Sequence, residues 1–462
     1  MMTRRWRPCC ESWPSSPPRR ARPAVSRAST PFLRDSPMAP PISPPLKALL
    51  LAMEYTPNVA GGVGTYVYEL ARGLARGGCK VTVLAYTPGE PAVLREPNLT
   101  VHMMPPSRGS LSQAGKLSLV GGIRVFNDDL IHRGRELIHE EKPDLIHFHQ
   151  WHTHRAARAL AHETGVPVLG TSHYISEPAE RWWGQTPDPE ILEEERSFYD
   201  GSTNVISVSD SMSELIRETY GMPASLLHTI HCGMDAGPFL QPSHAPEDYA
   251  RLRATVATPD DPVVLYTGRL HPMKGISAIF AAAERVLERR PNVRFLLAGG
   301  TDSRESTQMV QTLTQRYAHL RHRIKLLGKL PRQQLGLLHR IADLALVPSL
   351  YEPFGYTAIE AMASGLPLVA TRSGGPSEIV DHEKTGLLVP VLPGAPGGPR
   401  EVDVESLAAA QLNLLEDRER ARRMGLAGQQ RVVELFSLPR MVAANLAVYQ
   451  KLVGGQGREV RS

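Results

Sequence analysis

Short apolar runs alternate with helical patterns along most of this 462-residue chain, and this alternation constrains the fold more than any other feature. In the first half the apolar runs lie at 47–53, 80–86, 144–149, 167–172 and 204–209. Helical patterns separate them, near 123–140, 152–164, 189–200 and 210–220. Strands that alternate with helices predict a parallel, doubly wound sheet, in which each crossover between strands contains a helix.

A second alternating series follows a stretch, 237–258, that contains Pro, His and acidic residues and has no strand signal. Its apolar runs lie at 262–268, 293–299, 323–328, 343–349, 366–371 and 386–390. Helices are predicted at 274–290, 403–416, 418–435 and 440–453, and a flexible loop at 393–400. The chain is therefore predicted to be an α/β protein with two Rossmann-like domains, whose ligands bind at the carboxyl ends of the strands.

The predicted organisation has four parts. Residues 1–45 are an extension and residues 46–238 are the N-terminal Rossmann-like domain. Residues 239–436 hold the linker and the C-terminal Rossmann-like domain. Residues 437–462 form a last helix, expected to cross back to the N-terminal domain, and a tail.

The first 45 residues have the composition of a disordered extension. They hold eleven of the 40 Pro and show no apolar periodicity, so they cannot build a core. Their Arg- and Ser-rich, acid-poor composition also fits an organelle transit peptide, although the prolines would break its amphipathic helix. A third interpretation is that translation starts at Met38.

The net charge of +5 belongs to this extension. Residues 1–37 hold eight Arg and no Lys, against only Glu11 and Asp35, and the rest of the chain is close to neutral. Nucleic-acid binding by the folded body is therefore not expected.

The cysteines and the hydropathy bear on the compartment. Two of the four Cys lie in the extension, which leaves Cys79 and Cys232 for the body and argues against a disulfide framework. No run of about 20 apolar residues occurs, so no membrane span is expected. We expect a cytoplasmic protein, and a peripheral contact with a membrane is compatible with this expectation.

Two motifs after predicted strands have the character of phosphate sites. AGGVGTY (60–66) joins a strand to a helix, and its glycines let backbone amides approach an anion, although a tight turn explains it equally well. GRLHPMKG (268–275) places Arg269 and Lys274 after another strand, where two cations suit a diphosphate. The alternative is that both are surface charges in a loop.

The segment YEPFGYTAIEAMASGLP (351–367) is the most informative. Phe354 and Gly355 form a turn before a helix that starts near Tyr356, and the amides at its start would face an anion. Glu360 lies one turn inside this helix, where its carboxylate can reach a hydroxyl-rich group such as a ribose, and Glu352 lies nearer the cleft. Paired carboxylates could also be hydrolytic acids, but the nearby cations favour diphosphate binding.

Histidines follow two other predicted strands. HFHQWHTHRA (147–156) suggests a metal site at first, but two of its histidines end a strand and two begin a helix, so four shared ligands are not expected. His173 ends the next strand, at the same rim as the glycine loop.

Together these motifs resemble the retaining glycosyltransferases of family 4, which have the GT-B fold, from about Lys47 to about Gln450. The resemblance rests on AGGVGTY, GTSHYI, SVSDSMSELI, GRLHPMKG, EPFGYTAIEAMASGLPLVAT, GGPSEIV and TGLLVP, in this order. HFHQWHT and YEPFG are also similar to the glycogen and starch synthase branch. In a GT-B protein two Rossmann-like domains face each other across a cleft, the first on the acceptor side and the second binding the nucleotide sugar.

The resemblance implies a role for each motif residue. Arg269 and Lys274 would bind the donor diphosphate, and Glu352 would contact the donor sugar. Glu360 would hold the ribose hydroxyls, and His173 would lie beside the reacting sugar. The other donor-binding residues it implies, which approach the phosphates or the base, are Gly62, Gly328, Leu330, Phe354, Gly355, Tyr356 and Thr357.

The implied reaction is the transfer of a sugar from a nucleoside diphosphate sugar to an acceptor hydroxyl, with no metal and no cofactor, as a step of carbohydrate biosynthesis. The developing negative charge on the diphosphate would be stabilised by the two cations and the helix start. An α-glucan synthase is the alternative, and Gln150 counts against it, because that branch has Asp there. Cys232 replaces the Asn of a common turn, and a packing role is expected for it. A nucleotide-sugar epimerase or hydrolase of the same fold is the more distant alternative.

Overall fold

A computed structural model describes residues 45–57, 61–107, 118–241, 244–394 and 398–459. All but the last residue of the predicted extension, 1–45, lie outside the described residues, as do 395–397 of the predicted loop. In the described part of the chain no helix combines the length and the apolar character needed to cross a membrane.

The first half of the chain forms an eight-stranded sheet in the order β3-β4-β2-β1-β5-β6-β7-β8. The strands are β1 (Lys47–Ala52), β2 (Lys80–Tyr86), β3 (Ala92–Glu96), β4 (Leu99–Met104), β5 (Leu145–His149), β6 (Val168–Ser172), β7 (Asn204–Ser207) and β8 (Leu227–Thr229). All neighbours are parallel except the edge pair β3 and β4. The helices are α1 (Gly62–Arg76), α2 (Leu119–Glu141), α3 (His154–Thr164), α4 (Ala179–Trp182), α5 (Pro189–Phe198) and α6 (Asp210–Tyr220).

The second half forms a six-stranded, wholly parallel sheet in the order β11-β10-β9-β12-β13-β14. Its strands are β9 (Val263–Thr267), β10 (Arg294–Ala298), β11 (Ile324–Gly328), β12 (Leu344–Val347), β13 (Leu368–Thr371) and β14 (Leu387–Val389). An antiparallel pair, β15 (Val391–Leu392) and β16 (Glu401–Val402), follows. Both sheets are doubly wound, which confirms the predicted α/β class with two Rossmann-like units.

Ten helices of the described residues accompany the second half. They are α7 (Gly237–Leu240), α8 (Pro246–Ala254), α9 (Ile276–Arg289), α10 (Arg304–Arg316), α11 (Arg332–Ile341), α12 (Tyr356–Ala363), α13 (Pro376–Ile379), α14 (Val404–Glu416), α15 (Arg418–Leu435) and α16 (Leu438–Glu459). The stretch 237–258, predicted as a linker without strands, holds the short helices α7 and α8. Pro238 and Pro246 stand at the first turns of these helices, where a missing amide proton costs nothing.

The last helix, α16, packs on α1 of the first half. Gly73 of α1 leaves the room for this contact, since a Cβ there would lie 2.5 Å from a methyl group of Val442. The Tyr449 hydroxyl lies 2.6 Å from Nδ1 of the buried His147, and Asn445 reaches the Tyr66 hydroxyl at 3.4 Å. The chain therefore returns from the second sheet to cover the first, while the domain boundaries inferred from the sequence stay a prediction.

Tyr449→Phe is expected to lower the free energy of unfolding by about 1–3 kcal/mol, because Nδ1 of the fully buried His147 loses its partner. Urea denaturation followed by fluorescence measures this change. Gln450→Ala, one residue further along an exposed part of α16, is the control and should change stability by less than about 0.5 kcal/mol. Equal stability of Tyr449→Phe and the wild type would show that α16 does not anchor the first half in this way.

Candidate active site

The segments that follow strands of one sheet meet the segments that follow strands of the other. A Cβ on Gly62, at the start of α1, would lie 3.6 Å from the ring of Tyr356, at the start of α12. Ser209, after β7, donates a hydrogen bond to the carbonyl oxygen of Pro353 at 2.6 Å. The carboxyl ends of both sheets therefore line one cleft, which is where ligands of doubly wound sheets bind.

Lys274 and Glu352 form a buried ion pair in this cleft. The ammonium group lies 2.6 Å from Oε2 of Glu352, and each side chain is only 14% exposed. Ser349 donates a further hydrogen bond to the same oxygen at 3.1 Å. Gly275 lets the turn of Lys274 approach this closely: its φ is +68°, and a Cβ there would lie 1.9 Å from the carbonyl oxygen of Pro348. The two predicted residues are thus fixed side by side.

Arg269 follows β9 and points along the same rim. Its guanidinium lies 2.7 Å from Oδ2 of Asp302, a residue the sequence did not single out, and 43% of its side chain is exposed. Burial acts to raise the pKa of Asp302, but the charge of Arg269 and hydrogen bonds from Ser306 and Arg269 outweigh it, so this pKa is lowered. Arg269 therefore keeps a carboxylate partner while part of its side chain stays exposed.

The turn before α12 rests on two glycines of the GGPSEIV segment. The amide of Gly375 donates to the carbonyl oxygen of Glu352 at 2.9 Å, and a Cβ on Gly374 would lie 2.3 Å from the same oxygen. Gly355 has φ +121°, which lets the turn enter the helix at Tyr356. The first amides of a helix have no acceptor within it, so Tyr356 and Thr357 stand where an anion can bind.

Glu360 lies inside α12 and is 93% buried. Burial raises its pKa to about 7, and the charge of Arg332 on α11 acts in the opposite direction. Nε of Arg332 lies 3.7 Å from Oε1 of Glu360. The carboxylate thus depends on a nearby guanidinium for its charge at neutral pH.

His173 follows β6 and belongs to a buried group of aromatic side chains. Its Nε2 lies 3.3 Å from Nδ1 of His149, and its ring packs edge-on against Tyr66 at 4.8 Å between centroids. Gln150 holds the loop, because its Oε1 accepts from the His173 amide at 2.9 Å and its Nε2 donates to the Tyr174 carbonyl. Burial lowers the pKa of His173 to about 3, so its ring is neutral at pH 7.

The histidines of 147–156 turn to different partners. His147 contacts Tyr449 and Thr171, whereas Nδ1 of His154 contacts the carbonyl oxygen of Trp151. His147 and His154 thus have separate hydrogen-bond partners, whereas the rings of His147 and His149 lie 4.5 Å apart between centroids.

Gly328, Leu330 and Phe354, which are also predicted donor residues, lie at a strand end or in apolar packing of the second half. Gly328 ends β11 with φ +73°, and Leu330 packs against the apolar cluster beside β9 to β11. Phe354 is buried and packs against Tyr356 at 5.9 Å between ring centroids. Burial strongly raises the pKa of the Cys232 thiol, which is consistent with the packing role expected for it.

Three contacts to Glu378 that join the two halves were not predicted from the sequence. Both carboxylate oxygens of Glu378 accept from backbone amides at the start of α6, those of Asp210 at 2.9 Å and Ser211 at 2.8 Å. His231 adds a third contact to Glu378 at 2.7 Å. The GGPSEIV and SVSDSMSELI motifs suggest such a pairing only through their joint presence, since the partners are more than 160 residues apart.

Trp182 and Trp183 pack within this interface. The guanidinium of Arg400 covers the Trp182 ring at 3.8 Å from its centroid, and Tyr351 meets the ring edge at 5.1 Å. The Trp183 ring meets His271 at 4.7 Å. In this conformation both indoles are engaged in packing against side chains of the second half.

Two family descriptions match the chain. "Glycosyltransferase Family 4" matches residues 60–237, and "Glycosyl transferases group 1" matches residues 250–431. The chain is also similar to the D-inositol 3-phosphate glycosyltransferase of Nocardia farcinica, with 30% identity over 380 residues, which are 79% of this chain and 80% of the relative. The chain belongs to glycosyltransferase family 4. The predicted resemblance and the enzyme class are thereby confirmed.

This glycosyltransferase is also similar to a glycogen synthase and to a sucrose-phosphate synthase. The glycogen synthase of Mycobacterium tuberculosis is 29% identical over 417 residues, which are 87% of this chain and 94% of the relative. The solved structure of a sucrose-phosphate synthase from Thermosynechococcus elongatus superposes with a TM-score of 0.76 at 25% identity, covering 89% of this chain and all of that one. The GT-B fold, two Rossmann-like domains across a cleft, is confirmed.

Proposed function

We propose that this glycosyltransferase transfers a sugar from a nucleoside diphosphate sugar to an acceptor hydroxyl, without a metal and with retention of configuration. The observation that carries the proposal is the buried Lys274–Glu352 pair at 2.6 Å, next to the helix start at Tyr356. Cleavage of the bond between sugar and diphosphate leaves negative charge on the diphosphate. Fixed positive groups stabilise such charge without reorganisation.

Each part of the donor is assigned to groups at the cleft. Arg269, Lys274 and the amides after Gly355 would bind the diphosphate, with Gly62 approaching from the other side. Glu360 would hold the ribose hydroxyls, and Gly328 and Leu330 would border the base. Because Lys274 already contacts Glu352, a donor sugar held by Glu352 would lie beside the cation that meets its leaving group.

The proposed step needs no covalent enzyme intermediate. The bond from the anomeric carbon to the diphosphate oxygen breaks, the acceptor oxygen bonds to the same face of that carbon, and its proton passes to the departing diphosphate. His173 is neutral at pH 7 and would contribute a hydrogen bond rather than a charge to the reacting sugar. Arg269 and Lys274 would supply the positive charge that a metal ion supplies in other enzymes, so the proposed reaction includes no metal and no other cofactor.

An α-glucan synthase is the second candidate, favoured by the 29% identity to a glycogen synthase. Gln150 distinguishes the two. Its amide is engaged at both ends, with the His173 amide and the Tyr174 carbonyl, so it acts here as a support for the loop and supplies no carboxylate. An epimerase or hydrolase of the same fold would share the donor site.

Incubation with a panel of UDP-, ADP- and GDP-sugars in EDTA tests the proposal. Release of nucleoside diphosphate should depend on an added acceptor, and the product should keep the anomeric configuration of the donor. Elongation of a malto-oligosaccharide would select the glucan synthase instead. Rapid conversion of a donor without any acceptor would select an epimerase or hydrolase.

We also infer a reducing compartment, such as the cytoplasm, as the site of action. Cys79 and Cys232 are free and buried. Burial raises the pKa of the Cys79 thiol to about 11, so it stays protonated and unreactive.

A further inference from the structure

One guanidinium lies between two buried carboxylates that belong to different halves of the protein. Arg332 begins α11 in the second half, and its Nη1 lies 2.8 Å from Oε1 of Glu69 on α1 of the first half. Its Nε lies 3.7 Å from Oε1 of Glu360. The side chains of Glu69 and Glu360 are 5% and 10% exposed, so neither charge is screened by water as a surface charge is.

The two carboxylates lie at different distances from this guanidinium. Glu69 makes a hydrogen-bonded ion pair with it and accepts the Asp235 amide at 3.4 Å on its other oxygen. The contact with Glu360 is longer than a hydrogen bond. A direct bidentate pair between Arg and Glu360 would occupy both carboxylate oxygens. The contact with Glu69 keeps Arg332 from forming such a bidentate pair with Glu360.

Arg332 also keeps unused hydrogen-bonding capacity. Its Nε and Nη2 atoms are buried, and neither has a hydrogen-bond partner in the described part of the chain. The guanidinium lies over the Phe239 ring at 5.6 Å from its centroid, which limits its movement. A cation held in this way beside Glu360 acts on the carboxylate by its charge.

We propose that Arg332 is a positioning residue for the nucleotide sugar: held by Glu69, it keeps the Glu360 carboxylate charged and free to accept the ribose hydroxyls. The inference rests on the proposed function, since it concerns the same donor. Because Glu69 belongs to the first half and Glu360 to the second, the arrangement exists only when the two halves meet. Closure of the cleft is thereby linked to the binding of the ribose hydroxyls by Glu360.

Binding of the ribose hydroxyls requires an ionised Glu360 carboxylate. An ionised carboxylate accepts hydrogen bonds from two neighbouring hydroxyls, whereas a protonated carboxyl has lost part of that capacity. Burial raises the pKa of Glu360 to about 7, with Arg332 opposing and Glu69 adding to the rise. Since binding needs the ionised form, affinity should fall as the pH drops through this value.

Arg332→Gln tests the role through the donor itself. The KM for the nucleotide sugar should rise about tenfold at pH 7.5 with kcat changed less than about threefold, because a charge-assisted contact to the ribose is weakened. The loss of affinity on acidification should begin at higher pH than in the wild type. Arg332→Lys keeps a cation and should restore part of the affinity.

A 2′-deoxyribose donor and a double-mutant cycle separate this role from a structural one. With the 2′-deoxy donor only the 3′-hydroxyl remains to contact Glu360, so the rise in KM caused by Arg332→Gln should shrink from about tenfold to about threefold. Arg332→Gln should also add nothing to Glu360→Gln. Equal losses for the ribose and 2′-deoxyribose donors, or additive effects of the two substitutions, would overturn the proposal. Arg423→Gln, at an exposed site on α15, is the matched control.

Glu69→Gln supplies an independent variant if Arg332→Gln does not fold. Released from Glu69, Arg332 should pair with Glu360 and compete with the ribose, so the KM should rise for the ribose donor and rise less for the 2′-deoxy donor. An unchanged KM for both donors would contradict the role of Glu69. A wild-type protein that uses no nucleotide sugar would defeat the proposed function, whereas normal transfer with additive substitutions would defeat only this inference.

Discussion

Lys274→Ala should lower the turnover number by about 10²- to 10³-fold, the cost of removing one donor aimed at developing charge. Lys274 is held 2.6 Å from Glu352 in a site where each side chain is 14% exposed, so its charge acts with little screening. The substitution also leaves the Glu352 carboxylate without its cation, next to the incoming donor. Steady-state kinetics with saturating donor and acceptor measure the effect.

Two controls make this result specific. Lys384→Ala removes a Lys whose side chain is 76% exposed and which pairs with Asp381 at 3.2 Å, and turnover should be unchanged. Circular dichroism should show that Lys274→Ala keeps the native fold. Turnover within threefold of the wild type in a folded Lys274→Ala variant would remove Lys274 from the proposed charge stabilisation.

Gly375→Ala should lower the turnover number at least as strongly as Lys274→Ala does, although Gly375 is not one of the predicted donor-binding residues. A Cβ there would lie 2.1 Å from the carbonyl oxygen of Phe354 and 2.4 Å from its Cα. These are backbone atoms, so the turn that carries Glu352 and leads into α12 must move. Such overpacking typically costs about 1–3 kcal/mol of stability. Kinetics and thermal denaturation together measure the displacement.

Gly454→Ala is the matched glycine control. A Cβ at this exposed position of α16 would meet nothing within 4 Å, and Ala is favoured over Gly inside a helix by about 1 kcal/mol. Turnover should be normal and stability equal or slightly higher. Normal turnover of Gly375→Ala would show that the turn before α12 tolerates the displacement and does not need the observed position.

The strands that are buried on both faces were predictable because they read as continuous apolar runs. β9 is buried at all five positions, and the predicted run 262–268 extends one residue beyond it at each end. β3 was missed because its apolar run is only three residues long, Ala92 to Leu94, before Arg95 and Glu96, and in the fold all five of its residues are exposed. β4 alternates buried and half-buried residues over six positions, but its apolar residues lack the run that identified the others.

Residues of the site were predictable only where they belong to a motif that can be recognised in the sequence by itself. Glu352, Gly355 and Glu360 share one segment and could be placed on a turn and a helix from the sequence. The carboxylate and amide partners between the halves could not, because single charged residues such as Glu69 and Arg332 look like ordinary surface positions until the fold brings them together. Their sequence separation of 263 residues leaves no local pattern to read.

The central claim is that fixed cations and helix amides bind a nucleoside diphosphate without a metal, and calorimetric titration tests it most directly. UDP, ADP and GDP, each beside its monophosphate, are titrated into the wild type and Lys274→Ala in EDTA. One diphosphate should bind more tightly than its monophosphate, and Lys274→Ala should remove most of this difference. Binding that appears only when Mg²⁺ is added, or equal affinity for the diphosphate and its monophosphate, would contradict the account.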